Sequence, residues 1–438
     1  MGVFFGTDGI RGVVNVDLTH DVAFKCGNAL GSSTSRAKIL IGGDTRPTRS
    51  FLSTAFSGGA MSAGANMIDV GVCPTAGVAY LTKFLKCDFG VVVSASHNPV
   101  EYNGIKIFDS DGMKIGDKKE ELLERKFLHE QHNNQEELGT YQQNYDLVKY
   151  YKNYLISCCE CGLDGLKVLI DGSNGASGKI APCVFRKLGA KVVAINCSLG
   201  KEINKNCGST HPETLSFAMK KYGADIGFAF DGDSDRVIAC DENGNIIDGD
   251  MIIYVLSRYL KEKGKLKNNA VVGTRHTNMG LEKSLAKNGI TLLRTDIGDK
   301  YVIARIEEEK LSLGGEQSGH IIFRDLATTG DGILSAIKIA EHVKMSGKKL
   351  SELSDAIIYP QINIDCIVRD KMRIINNEEL QLVINKNERL LGEDYRIMVR
   401  VSGTESKIRI MVEGEDVNKC RSSAEEIENT IKDIDKNT

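Results

Sequence analysis

No run in the 438 residues approaches the ~18 consecutive apolar positions of a membrane-crossing helix. The N-terminus has neither the charged nor the apolar region of a secretory signal, and Gly6 stands where a myristoylation signal requires Ser or Thr. An excess of one charge is also missing: the formal net charge is −3, so nothing announces a basic surface for nucleic acid. Twelve cysteines fall well short of a disulfide scaffold and scatter singly, apart from Cys158, Cys159 and Cys161. The Cys158-x-x-Cys161 spacing suits zinc or redox cycling, yet no second pair with ligand spacing accompanies it, so a plain structural reading is preferred. Neither a Walker A loop nor G-x-G-x-x-G occurs, and no G-x-S-x-G elbow, which removes sequence support for nucleotide binding and for acyl transfer. The expectation is a soluble, cytoplasmic protein with no membrane and no nucleic-acid partner.

What is present is the composition of an ordinary globular enzyme, 41% hydrophobic and 26% charged, in a chain long enough for three or four domains. One plan recurs three times: an apolar strand, a polar or Gly-containing turn, a helix, a Gly, and a second strand. The copies begin at residues 38, 167 and 270, and each is followed by another short strand, at 89–93, 226–230 and 311–313. Those strands run into Ser94, Asp231 and Gly314, and strand-end loops are where α/β folds carry ligand sites. Charged stretches at 118–137 and 248–267 read as helices or connectors. After about residue 360 strand-like and helix-like runs alternate differently, as in an α+β domain. The fold expected is α/β: three repeated α/β domains with mixed sheets, over residues 1–150, 151–247 and 248–360, and a smaller C-terminal α+β domain over 361–438, around a central cleft.

Four loops carry chemistry. Asp231-Gly232-Asp233-Ser234-Asp235-Arg236 sets three carboxylates at alternate positions, where a tight turn converges their oxygens on one hard cation, with magnesium the natural occupant. An EF-hand is the rival, with Glu242 at its twelfth position, but Arg236 stands where Gly is needed. A solvated acidic turn is the bland alternative. Ser94-Ala95-Ser96-His97-Asn98-Pro99 exposes a serine beside a histidine, which reads either as a nucleophilic or phosphorylated serine or as a turn cluster. The segment from Arg400 to Arg409 combines guanidinium groups, hydroxyls and Gly403, which suits a phosphate monoester or a charged hairpin. Gly314-Gly315-Glu316-Gln317-Ser318-Gly319-His320 offers a carboxylate, an amide, a hydroxyl and an imidazole for sugar hydroxyls or an amine. Together they make a coherent phosphoryl-transfer site that none would justify singly.

Gly6-Thr7-Asp8-Gly9-Ile10-Arg11-Gly12 and the three loops at 94–99, 231–236 and 400–409, taken in order, resemble the signatures of the α-D-phosphohexomutase family. The loop at 314–320, followed by Thr328-Thr329-Gly330-Asp331-Gly332, is similar to the family's glucosamine-phosphate branch; the phosphomannomutase/phosphoglucomutase branch, the nearest rival, typically has Met where Gln317 stands. Ser406 stands where the family usually has Pro, and Arg275-His276-Thr277 replaces a common Val-Met-Ser.

The resemblance implies phosphorylated Ser96, with Asp231, Asp233 and Asp235 and the Ser96 phosphate holding one magnesium per chain. It implies a hexosamine phosphate substrate bound by Glu316, Ser318, Arg400, Ser402, Gly403, Thr404 and Arg409. Proton transfer falls to Lys106, His97 or His320, with Arg11 and Arg236 electrostatic. Glucosamine 6-phosphate and glucosamine 1-phosphate would interconvert through glucosamine 1,6-bisphosphate, which also serves as activator, and the product would lead to UDP-N-acetylglucosamine and peptidoglycan precursors. A homodimer is carried as a further expectation. The same residues leave two other readings open, a non-catalytic sugar-phosphate sensor and a metal-dependent phosphatase.

Overall fold

The computed structural model describes residues 5–6, 9–128, 135–198, 200, 202–402 and 406–436. It forms two compact units, residues 1–276 with 290–355, and residues 277–289 with 356–438.

Three sheets lie in the first unit. The largest has seven strands in the order Phe5–Gly6, Gly9–Val13, Tyr102–Asp109, Phe89–Val93, Lys38–Gly43, Asn66–Val72, Tyr141–Gln143. Its centre is parallel, with Lys38–Gly43 between Asn66–Val72 and Phe89–Val93, whereas Tyr102–Asp109 runs antiparallel to its neighbours. The central strands bury Ile39, Leu40, Ile41, Val91, Val92 and Val93 on both faces, which explains why they read as unbroken apolar runs rather than alternating ones. Two helices, His20–Gly31 and Arg49–Ser62, cross tightly on glycines: a Cβ on Gly59 would stand 1.9 Å from the Phe24 carbonyl oxygen.

The second sheet has five strands, ordered Ile246–Ile247, Val237–Cys240, Ile226–Phe230, Lys167–Asp171, Lys191–Ile195. Ile226–Phe230 and Lys167–Asp171 are parallel, and Val237–Cys240 folds back antiparallel, so the turn at 231–236 sits at the end of a wholly buried strand. The third sheet has four strands, ordered Thr291–Thr295, Ala270–Thr274, Leu313–Gly315, Ile321–Phe323. The strand expected at 311–313 lies at Leu313–Gly315 instead, because Gly314 and Gly315 pair with Ile322 and Ile321, and the turn begins at Glu316.

The charged stretch expected at 248–267 as a helix or connector is the helix Gly249–Glu262, capped by the Asp248 side chain on the Met251 amide. It is largely buried: Ile252, Ile253, Val255 and Leu256 fill the middle, Asp250 is buried in the first turn, and the other charges lie toward the C-terminal end. Within the stretch at 118–137, 118–128 belong to the helix Asp117–Leu128, 129–134 lie outside the described residues, and 135–137 are exposed and irregular.

The second unit carries an antiparallel sheet ordered Gln361–Ile367, Lys407–Gly414, Tyr395–Val401. Helices Glu378–Leu391 and Val417–Lys436 belong to its core, with Leu380, Ile427 and Ile431 fully buried. The helix Met279–Lys287 groups with this unit: Asn278 Nδ2 donates to the Tyr359 carbonyl at 2.9 Å, and the Met279 amide donates to Glu413 Oε1 at 2.7 Å. Three sheets flanked by helices and a separate C-terminal sheet agree with the fold class read from the sequence.

Candidate functional site

The strand Phe89–Val93 delivers Ser94 and Ser96 to its end, where Ser96 is 2% exposed and holds φ +51°. That backbone region is costly for a residue with a Cβ and persists only where surrounding contacts over-determine it. They do so here. The Ser96 amide donates to Ser94 Oγ at 2.9 Å, and Ser94 Oγ in turn donates to Asp44 Oδ2 at 2.5 Å. The Ser96 carbonyl accepts from Arg46 Nη2 at 3.0 Å and from Asn204 Nδ2 at 2.8 Å. The Ser96 hydroxyl donates to Asp231 Oδ2 at 2.6 Å and has His97 Nδ1 at 3.3 Å.

Asp231 follows the buried strand Ile226–Phe230, and the tight turn to Arg236 places Ser234 at φ +63°. Ligand oxygens of Asp231, Asp233 and Asp235 lie within 4.8 Å of one another, all three residues buried. Burial, followed by the charges of Asp235 and Asp233, pushes Asp231 well above the usual carboxylate range, with Arg236 and the Ser96 hydroxyl acting the other way. Lys106 Nζ donates to Asp233 Oδ2 at 3.0 Å and to Asp235 Oδ2 at 3.2 Å, and Thr75 Oγ1 donates to Asp233 Oδ2 at 2.7 Å. The other Asp233 oxygen, Oδ1, is buried with no hydrogen-bond partner among the described residues. An all-oxygen donor set, a surplus of negative charge over the single Lys106 ammonium, and this orphaned oxygen fit a small divalent cation such as magnesium.

Other expected groups surround this centre. Burial, then the charges of Arg236 and Arg11, push His97 down to about 4, so its ring is neutral at neutral pH. Arg11 Nη1 donates to Asn98 Oδ1 at 3.4 Å, the Arg236 amide donates to Asp231 Oδ1 at 3.2 Å, and Arg236 Nε lies 3.9 Å from Asp235 Oδ1. His320 is 2% exposed, its Nε2 lies 3.9 Å from Asp235 Oδ2, and neither ring nitrogen has a hydrogen-bond partner among the described residues. Glu316 accepts from the Gly298 amide at 3.1 Å, and Ser318 is exposed at the tip of its turn. Ser96, His97, Arg11, Lys106, Arg236, His320 and the three aspartates thus fall in one neighbourhood.

In the second unit, Arg400 and Arg409 are cross-strand partners. Partial burial and the Arg409 charge pull the Arg400 guanidinium below its usual value, and an anion at this pair would relieve that repulsion. The Ser402 carbonyl accepts from Lys371 Nζ at 2.7 Å, and Gly403 and Thr404 lie outside the described residues. Arg275 pairs with Asp296 at 3.0 Å on the surface, and the Ser406 carbonyl accepts from the Val368 amide at 3.1 Å. Cys159, Cys161 and Glu341 also cluster, but the Glu341 carboxylate already accepts from Lys338 Nζ, Tyr259 and the Glu160 amide. Burial pushes the Cys159 thiol up to about 12, and its Sγ donates to the Cys161 carbonyl at 2.7 Å.

Sequence reasoning misses Arg46, Asn204 and Thr75. The only hint is positional: Arg46 lies in the first repeat's strand-end turn, while Asn204 and Thr75 carry no local pattern at all.

Against known families, the chain matches phosphoglucomutase/phosphomannomutase alpha/beta/alpha domain I over residues 2–134, domain II over 149–244, domain III over 248–360 and the C-terminal domain over 364–430. A phosphoglucosamine mutase of Thermoanaerobacter sp. (strain X514) is 45% identical, covering 98% of this chain and 99% of that protein. One of Carboxydothermus hydrogenoformans is 45% identical over 98% of both. Among solved structures, a phosphoglucomutase/phosphomannomutase family protein from Burkholderia thailandensis superposes with TM-score 0.83 at 23% identity, covering 98% of this chain and 97% of that one. An Aspergillus fumigatus N-acetylphosphoglucosamine mutase, in complex with GlcNAc-6P and magnesium, gives TM-score 0.68 at 16% identity, over 99% and 96%. With full-length identity of this order and all four family domains matched in sequence, the chain belongs to the phosphoglucosamine mutase family.

Proposed function

We propose that the chain interconverts glucosamine 6-phosphate and glucosamine 1-phosphate, with Ser96 as the residue that carries the phosphoryl group. The observation that carries this reading is the Ser96 hydroxyl donating at 2.6 Å to Asp231, in a cluster whose three carboxylates call for a cation. One magnesium held by Asp231, Asp233, Asp235 and the Ser96 phosphate would neutralise charge on the transferring phosphoryl group.

In the first step the P–Oγ bond of phosphorylated Ser96 breaks as a P–O1 bond to the sugar forms; the O1 proton leaves to a base, and Ser96 Oγ takes a proton to become the hydroxyl, which it gives up again when it is rephosphorylated. Glucosamine 1,6-bisphosphate results. After it turns end for end, the P–O6 bond breaks, Ser96 is rephosphorylated and glucosamine 1-phosphate departs, O6 taking a proton. Three groups suit this proton traffic: the neutral His97 ring, 3.3 Å from Ser96 Oγ, Lys106, which donates to two of the aspartates, and His320, 3.9 Å from Asp235. Arg11 and Arg236 supply positive charge beside them. Glu316 and Ser318 are proposed to hold the sugar, and Arg400, Ser402, Gly403, Thr404 and Arg409 the phosphate that is not being transferred.

The partition into domains at 1–150, 151–247, 248–360 and 361–438 belongs to the same reading. So do a cytoplasmic setting, in keeping with twelve free cysteines, a homodimer, activation by the bisphosphate, and supply of precursors for UDP-N-acetylglucosamine and peptidoglycan.

The test is a coupled assay of glucosamine 6-phosphate conversion with magnesium and a trace of glucosamine 1,6-bisphosphate, beside Ser96→Ala. Turnover lost in the variant is the expected result. Turnover on glucose or mannose phosphate but not on glucosamine phosphate would overturn the substrate assignment while keeping the mechanism.

A further inference from the structure

Arg46 is among the largest fully buried side chains of the protein. A guanidinium taken wholly out of water is costly unless nearly all its donors are used, and here Nη1 and Nη2 are spent on one loop while Nε goes to Asp44. Nε pairs with Asp44 Oδ2 at 3.0 Å; Nη1 donates to the Tyr102 carbonyl at 3.0 Å and to that of Pro99; Nη2 donates to the carbonyls of Asn98 at 2.7 Å and Ser96 at 3.0 Å. One planar fork therefore gathers four carbonyls from residues 96–102. Asn204, arriving from the region of the second sheet, donates to two of the same carbonyls, Ser96 at 2.8 Å and Asn98 at 3.1 Å.

The other side of the Ser96 peptide is tied to the same arginine. Asp44, its ion-pair partner, accepts from Ser94 Oγ, which itself accepts from the Ser96 amide. Amide and carbonyl of Ser96 are thus both anchored through Arg46, directly or by the relay Asp44–Ser94, at a residue whose left-handed backbone would otherwise relax. The hydrogen bonds that Arg46, Asn204 and Ser94 make with Ser96 go to its backbone, while the Ser96 hydroxyl is paired with Asp231 and His97.

We infer that Arg46, assisted by Asn204, is a positioning residue for phosphoryl transfer: it holds the Ser96 backbone in the left-handed conformation that aims Oγ at Asp231. This rests on the reading of Ser96 as the phosphoryl carrier. Lysine cannot replace it, because a single ammonium reaches at most three acceptors and lacks the planar fork.

The experiment compares Arg46→Lys, Asn204→Ala and Ser96→Ala in full-length protein, measuring kcat and KM for glucosamine 6-phosphate, Ser96 phosphorylation by intact mass, and Tm. Misplacement of a reacting atom by about 1 Å costs on the order of 100-fold, so Arg46→Lys is expected to lose about that factor in kcat with KM unchanged. Asn204→Ala, which removes no charge and should fold, is expected to lose roughly tenfold in kcat, the rate equivalent of about one hydrogen bond. A merely structural role would lower Tm and active fraction while leaving kcat per folded molecule intact. That outcome in Arg46→Lys, or in Asn204→Ala should the lysine variant not fold, overturns the inference. Full activity in Ser96→Ala would instead sink the phosphoserine reading itself.

Discussion

At Asp231 the chemistry of a single carboxyl reports on the whole site. Burial and the Asp235 and Asp233 charges raise its pKa, so the folded protein without a cation binds a proton that the unfolded chain has already released above its ordinary range. Stability of the cation-free protein is therefore helped by low pH through that window and lost as pH rises. Divalent-cation binding displaces the proton, so magnesium affinity should strengthen with pH. Calorimetric titration over a pH series from the ordinary carboxylate range upward, in buffers of different ionisation enthalpy, is expected to show binding that tightens and proton release that falls as pH rises; affinity independent of pH across the series would contradict the raised pKa. A second expectation concerns Thr75, whose hydroxyl orients Asp233 at 2.7 Å and whose amide donates to the Asp233 carbonyl at 3.0 Å. Thr75→Val keeps the amide contact and the shape but removes the hydroxyl. Groups of this kind typically change metal affinity 10–100-fold, so magnesium Kd should rise by about tenfold or more with little change in Tm. An unchanged Kd would show that Asp233 needs no such support.

Secondary-structure elements carry their own consequences. The helices His20–Gly31 and Arg49–Ser62 approach so closely that a Cβ on Gly27 would lie 2.0 Å from the Phe56 carbonyl oxygen, with the reciprocal contact at Gly59. Backbone atoms cannot swing aside as a flexible side chain does. Gly59→Ala should thus cost about 1–3 kcal/mol or more by overpacking, visible as a lowered midpoint in denaturant melts, although alanine is the better helix former in isolation. A stabilised variant would mean the crossing is looser than described.

The helix Gly332–Ser346 is capped by Asp331, whose Oδ1 accepts from the Leu334 amide at 2.9 Å while Oδ2 accepts from the Tyr151 hydroxyl at 2.9 Å. Burial raises Asp331 to about 6 against an ordinary 3.8, despite those two hydrogen bonds. The protonated form is the one the fold prefers, so this group adds stability at low pH that disappears as pH rises from about 4 to about 6, at most roughly 3 kcal/mol at 1.36 kcal/mol per unit. Asp331→Asn retains a capping oxygen and removes the charge. Its Tm relative to the parent should be higher at pH 8 than at pH 5, and a difference that is flat with pH would reject the assignment.

Across the whole molecule, residues 277–289 belong to the compact unit built by 356–438 although residues 290–355, 66 positions of chain, separate them. Lys283 donates to Asp394 at 2.6 Å and to the Tyr359 hydroxyl at 3.0 Å, and the Asn278 side chain both donates to and accepts from the Tyr359 backbone. A fragment of residues 356–438 should therefore be markedly less stable alone than with a peptide spanning 277–289 added. Circular dichroism melts of the two samples check this, and identical curves would mean the C-terminal sheet needs none of those contacts. At the same scale, Arg400→Ala should raise KM for the sugar phosphate about 10–100-fold, the worth of a charge-assisted hydrogen bond, with a smaller effect on kcat.

The repeats, the buried parallel strands and the acidic and serine loops are all legible along the chain, because each is a short-range pattern: apolar runs are imposed by burial on two faces, and turn chemistry acts over a few residues. That is why the loops holding Ser96 and the triad Asp231, Asp233 and Asp235 stand out as candidates before any fold is known, and the structure then brings the four side chains together. The shift of one strand to Leu313–Gly315 is missed for the complementary reason, and the burial of the helix Gly249–Glu262 is not legible either, since partner strands and neighbouring helices decide them. Arg46, Asn204 and Thr75 lie 50, 108 and 158 positions from the groups they hold. No local pattern marks such residues. Their roles follow from desolvation: a buried guanidinium, amide or hydroxyl must find its partners wherever the packed chain has brought them, and only the tertiary structure says where that is.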